Sequence, residues 1–263
     1  MLYPRIIPCL LVRDHGLVKT VNFRDSRYVG DPINAVRIFN EKEVDELMVL
    51  DIDATRLNRE PDYEMISHLA AECRMPLCYG GGVKRSDQVQ KIIQLGVEKV
   101  SISSAAVENP LLLTEAARVV GAQSLVVVLD VKKSRSGRGH EVWIRNGSVN
   151  TERNPAEMAK EMEGLGAGEI VINSIDDDGL MKGYDLTLVQ QVLGSITIPL
   201  TVLGGAGTLE DMKGLIRQYG AIGLAAGSMF IFKGAYRAVL INYPGAAEKE
   251  ALLRVSGMMG AGI

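Results

Sequence analysis

Short apolar runs recur along this chain, and each is followed by a segment with apolar residues three and four apart. The clearest run is SLVVVLDVKK at 124–133, bounded by Gly121 and by Ser134-Arg135-Ser136-Gly137. Consecutive apolar positions predict a strand buried on both faces, the pattern of a parallel sheet. Similar runs at 5–12, 46–51, 76–79, 99–103, 169–174, 198–203 and 221–226 predict seven more strands. Helical spacing covers 31–43, 61–73, 86–95, 110–120, 155–165, 186–193 and 209–219. Pro32 suits a first turn, and Gly96 and Gly166 close their helices. Residues 13–30 are polar and glycine-bearing, and read as a long loop of the kind that forms lids. Residues 138–150 predict a hairpin turned at Asn146-Gly147. From Lys233 onward the pattern predicts one more helix, a turn at Asn242-Tyr243-Pro244-Gly245 and a tail. The tail's last part, 256–263, is small and apolar and is expected to be poorly ordered.

Eight strands alternating with helices predict an α/β fold, a (β/α)8 TIM barrel, over the runner-up, a doubly wound open sheet. An internal repeat favours closure. Asp51-Ile52-Asp53 recurs as Ser174-Ile175-Asp176, an offset of 174 − 51 = 123. The glycine runs after strands three and seven are offset by 204 − 80 = 124. The chain therefore reads as two half-barrels forming one domain over 1–263, with 245–263 as its C-terminal tail.

The length of 263 residues suits one such barrel. Hydrophobic residues at 47% and charged residues at 23% are ordinary for a globular domain. A net charge of −3 gives no reason to expect nucleic acid or an anionic membrane as partner. No apolar run reaches the roughly 20 residues of a membrane span. The N-terminal residues lack the pattern of a signal peptide, so a cytoplasmic location is expected. Cys9, Cys73 and Cys78 sit in apolar contexts and read as reduced core residues. His15, His68 and His140 are scattered, so neither a metal nor a redox cofactor is implied.

Three sets of residues could carry chemistry. Gly80-Gly81-Gly82 with Ser103 and Ser104 could hold one phosphate, and Gly204-Gly205 with Gly227 and Ser228 another, since glycine lets backbone N–H groups approach an anion. Tight turns alone would also explain one such diglycine; two in register favour a ligand with phosphates at both ends. Asp130 ends strand five, and it faces the barrel mouth if Val126 and Val128 face inward. A carboxylate there could act as general acid or base, or merely cap a helix. The matching position on strand one is Leu11, so no second acid stands opposite. Arg5, Glu46, Lys99 and Glu169 start four strands at the other end, roughly 20 Å below at about 3.3 Å per residue. Four balanced charges could form a ring; spacing alone favours a salt-bridged plug.

The motifs RIIPCL, GDP, DEL-x-x-LDI-x-A, EKVSI-x-S-AAVENP, GAGEI, SID-x-DG, GYD and GGAG resemble the cyclase subunit of imidazole glycerol phosphate synthase, over about residues 1–232. The resemblance implies a barrel that docks a class I glutaminase on its N-terminal face. It implies that ammonia enters through a gate formed by Arg5, Glu46, Lys99 and Glu169. It also makes Lys19 a substrate-closing lysine and Asp130 one of two catalytic aspartates. The other aspartate falls on Leu11. Asp178 and Gly179 are retained, while Ser103, Leu180 and Leu203 replace the family's usual asparagine, threonine and serine. A kept gate with a lost acid is similar to paralogues of surface-polysaccharide clusters, which are thought to help amidinate a nucleotide sugar beside a sugar amidotransferase. Three readings stay open: a synthase or lyase subunit of a glutamine amidotransferase complex serving that amidination, a genuine cyclase making imidazole glycerol phosphate and AICAR from PRFAR, and a non-catalytic ammonia conduit.

Overall fold

The computed structural model describes residues 3–134, 137 and 139–254. The chain begins with β1 (Arg5–Arg13), β2 (Gly16–Val21), β3 (Arg24–Gly30) and α1 (Pro32–Glu41). There follow β4 (Leu47–Asp51), α2 (Tyr63–Glu72), β5 (Leu77–Gly80), α3 (Ser86–Gln94) and β6 (Lys99–Ile102). The middle holds α4 (Ser104–Glu108), α5 (Leu111–Val120), β7 (Leu125–Lys133), β8 (His140–Ile144), β9 (Val149–Asn150), α6 (Pro155–Gly164) and β10 (Glu169–Ser174). The chain continues through α7 (Leu186–Leu193), β11 (Leu200–Leu203), α8 (Leu209–Tyr219), β12 (Gly223–Ala226), α9 (Ser228–Ile231), β13 (Phe232–Lys233), β14 (Ala238–Val239) and α10 (Ala246–Arg254).

Eight strands pair in parallel in the order β1, β4, β5, β6, β7, β10, β11, β12, and β12 pairs back onto β1. The sheet is closed and helices surround it: this is the predicted (β/α)8 barrel. The middles of the barrel strands are mostly apolar because both faces are buried, and their polar residues fall mainly at the two ends. One face looks out at the helices and the other at the bore, where Ile7, Cys9, Met48, Val126, Val128 and Val171 form a separate cluster. Asp31, Asp62, Asp185 and Thr208 cap their helices by accepting the N–H three residues on, which sets where each outer helix begins. Among the described residues no helix is long and apolar enough to cross a membrane.

Two expectations are corrected. Residues 13–30 are not a loop but the hairpin β2–β3, which continues β1 upward through antiparallel pairing. Its two-residue turns are Asp14-His15 and Asn22-Phe23, all four at positive φ. Such turns usually carry glycine, so their chemistry is muted in the sequence. The stretch after Lys233 is likewise no helix. It is the small hairpin β13–β14, and the helix comes later, as α10, inside the expected tail. Residues 256–263 lie outside the described residues. The 138–150 hairpin is present as β8–β9, and β8 also pairs antiparallel with the upper half of β7.

Candidate functional site

At the floor, the period of two along each strand turns Arg5, Glu46, Lys99 and Glu169 into the bore. Arg5 binds Glu46 and, at 2.8 Å, Glu169. Lys99 binds Glu46 at 2.8 Å and Glu169 at 2.9 Å. Cations and anions alternate, and the ring is closed. The Thr201 hydroxyl adds a donor to Glu169 at 2.6 Å. Burial opposes charge on Glu169, yet Arg5 and Lys99 outweigh it and hold its carboxyl below the usual range. Glu169 and Glu46 in turn raise Arg5 and Lys99 above their ordinary values against the burial that lowers them.

Above the ring the bore is mostly apolar up to Asp130, with the buried Ser101 as a hydroxyl in its wall, and Asp130 itself is buried on β7. Asp130 shares inward parity with Val126 and Val128, as the pattern required. Its carboxylate accepts from Asn173 Nδ2 at 3.0 Å and from Ser103 Oγ at 3.4 Å. Burial, aided by the charge of Asp178, outweighs these bonds and pushes its pKa up to about 7. A carboxyl poised there can give or take a proton near neutral pH.

One cavity at the mouth gathers the predicted positions. It is lined by Leu11, Lys19, Gly81, Gly82, Ser103, Ser104, Asp130, Asp178, Gly179, Gly204, Gly205, Gly227 and Ser228, with Leu203 among its apolar walls. Leu180 is not among its lining residues. Ser104 is engaged, its hydroxyl accepting from the Arg145 N–H at 2.9 Å. Asp178 is engaged too. It accepts from the Thr20 hydroxyl at 2.7 Å and the Phe23 N–H at 3.2 Å, and so latches the β2–β3 hairpin over the mouth. Lys19 is carried inward by that hairpin, and its Nζ donates to the Cys9 carbonyl at 2.5 Å. Asn173 also lines the cavity and was missed by the sequence reading. Its signal was available, since it shares parity with Glu169 and Val171 on β10. Among the described residues no three of His, Cys, Asp and Glu cluster as metal ligands.

The glycine runs have a steric cause that the half-barrel repeat makes visible. Gly81 (φ +126°) and Gly204 (φ +94°) each press on the end of the preceding barrel strand. A Cβ would stand 2.6 Å from the Asp51 carbonyl oxygen at Gly81 and 2.6 Å from the Ser174 carbonyl oxygen at Gly204. The repeat is thus 204 − 81 = 123, the same as 174 − 51, and Gly81 rather than Gly80 is the mate of Gly204. Gly204→Ala is expected to cost about 1–3 kcal/mol, from positive φ and the clash together. Thermal unfolding beside the wild type measures it; an unchanged melting temperature would reject the steric account.

A closed barrel with an ion-paired floor, a mostly apolar bore and a glycine-lined cavity at the C-terminal strand ends defines a (β/α)8 barrel whose cavity lies where such barrels carry their sites. The chain belongs to the family described as histidine biosynthesis protein, whose model matches residues 5–237. "Putative imidazole glycerol phosphate synthase subunit HisF" of Leptospira borgpetersenii is 54% identical over 252 residues, 96% of this chain and 99% of that one. "Putative imidazole glycerol phosphate synthase subunit hisF3" of Vibrio vulnificus is 54% identical over 255 residues, 97% and 98% of the two chains. "Imidazole glycerol phosphate synthase subunit HisF" of Lactococcus lactis is 41% identical over 212 residues, 81% and 82% of the two. The chain is HisF-like over most of its length.

Proposed function

We propose that this barrel receives ammonia from a class I glutaminase docked on its floor and passes it up the bore to the mouth, in the service of amidinating a surface-polysaccharide sugar. The observation that carries this reading is the closed ring of four charges directly beneath a mostly apolar bore that ends at Asp130. A ring of paired charges can open by exchanging partners, whereas the bore above excludes an ammonium ion and admits neutral ammonia, because an unpaired charge in an apolar interior is costly. The two glycine loops at the mouth are suited to a ligand phosphorylated at both ends. Asp130 serves there as the proton-transferring group, alone or with a sugar amidotransferase that takes the ammonia onward.

Leu11 favours amidination over cyclisation. Leucine transfers no proton, so the mouth has no second carboxylate facing Asp130 from β1. The experiment is twofold. Mixed with a class I glutaminase of its own organism, the protein is expected to form a complex and stimulate glutamine hydrolysis; no complex and no stimulation would overturn the ammonia reading. Expressed in a histidine auxotroph lacking the cyclase, it is expected not to restore growth. Restored growth would establish the cyclase instead, with Leu11 tolerated.

A further inference from the structure

We propose that Lys19 is a Schiff-base lysine, whose amine condenses with the carbonyl carbon of a small phosphorylated aldehyde or ketone held in the barrel mouth. Three observations on its surroundings carry this. First, Lys19 is only 4% exposed although it stands on a hairpin outside the barrel sheet. The hairpin is latched by Asn22 and Thr20 to the loop after β10, with bonds from Asn22 Nδ2 to the Ile175 carbonyl at 3.0 Å and from Thr20 to Asp178. The amine is therefore held inside the cavity rather than swept through solvent. Second, its hydrogen-bond partner is a neutral backbone carbonyl, and among the described residues it ion-pairs with no carboxylate. Asp178, the acid whose charge reaches it, already serves Thr20 and Phe23. Leu11, which pairs with Val18 across β1 and β2, adds apolar surface on the same wall. Third, the amine lies at a glycine loop, since a Cβ built on Gly227 would stand 2.5 Å from Nζ.

These surroundings shift the balance toward the neutral amine. Burial pushes the lysine pKa down, and a desolvated lysine is the usual source of a nucleophilic amine. In the reaction the nitrogen lone pair forms the N–C bond as the carbonyl π bond breaks, and an amine proton passes to the oxygen. The carbinolamine then loses its hydroxyl as water once that oxygen takes a second proton, leaving an iminium. Asp130, across the same cavity on β7 and poised near neutrality, is the group available to supply that proton. Nothing is oxidised or reduced. The phosphate half of the proposal rests on the glycine-loop reading above; the amine half does not.

The test is borohydride trapping on the whole protein. Dihydroxyacetone phosphate and sodium borohydride are added at pH 8, and modified lysines are mapped by peptide mass spectrometry. Lys19 is expected to be reduced to the secondary amine several-fold more than the exposed Lys160, because a carbonyl bound in the cavity is held beside its amine. Lys19→Arg, with its melting temperature checked, is expected to lose that adduct and keep the others. Labelling of Lys19 no greater than that of Lys160 would overturn the amine. Equal labelling of Lys19 by unphosphorylated dihydroxyacetone would overturn the phosphate half and leave the amine standing.

Discussion

Asp130→Asn is expected to stabilise the barrel at pH 8 by up to about 4 kcal/mol while abolishing proton transfer at the mouth. The gain follows from the carboxyl's position in the bore. Burial raises its pKa from 3.8 to about 7, so the folded state keeps a proton that the unfolded chain has lost. Below pH 4 both states are protonated and the variant gains nothing. Between pH 4 and pH 7 the wild type loses stability as pH rises, and above pH 7 the full cost of a buried carboxylate is present. Asparagine is neutral throughout. Its Oδ1 can still accept from Asn173, and its amide can donate to Ser103, so no partner is stranded. Urea unfolding of both proteins at pH 4 and pH 8 checks the sign; an equal effect at both values would show that Asp130 does not titrate as described. The chemical loss is expected to be 10²–10⁴-fold, roughly the share of a general acid or base.

Glu169→Leu is expected to destabilise the protein by about 3 kcal/mol at pH 7, near the lower end for breaking a buried ion pair. Glu169 is 5% exposed and serves Arg5, Lys99 and Thr201 at once. Without it two cations share Glu46, and the floor carries an unmatched positive charge. Arg5 and Lys99 keep some contact with solvent, with side chains 27% and 19% exposed, which holds the loss below the upper end. Glu169→Leu combined with Lys99→Met removes one charge of each sign, leaves Arg5 with Glu46, and is expected to recover most of the loss. The ring also has a pH signature. Because the Glu169 pKa lies below its ordinary value, its contribution is present above the usual carboxylate range and disappears as pH falls through the folded value. Equilibrium unfolding of the single and double variants decides the matter; simple additivity of the two losses would mean that the charges do not act as a ring.

Much of this was legible in the amino-acid order. Eight apolar runs predicted eight strands, and the parity of Val126, Val128 and Asp130 predicted which way the acid faces. The same parity placed Arg5 at the floor beneath Leu11. The failures were also physical. Asp14-His15 and Asn22-Phe23 make two-residue turns without glycine, so the β2–β3 hairpin passed as loop. Its polar outer strand, Arg24–Gly30, faces solvent and carries no apolar run. The glycines after β5 and β11 invited an anion-binding explanation, and the structure adds a steric one at Gly81 and Gly204.

By itself the sequence determined the eight barrel strands, the helices between them, their order and the inward parity of Asp130 and Arg5, because these depend on neighbours two to four positions away. Only the tertiary structure decided which distant groups meet: Arg5 with Glu46 and Glu169 across 41 and 164 positions, Asp130 with Asn173 across 43, and Lys19 sealed inside the mouth. Charge pairing and proton affinity depend on separations of a few ångströms and on the exclusion of water, and no periodicity along the chain encodes either until the sheet has closed.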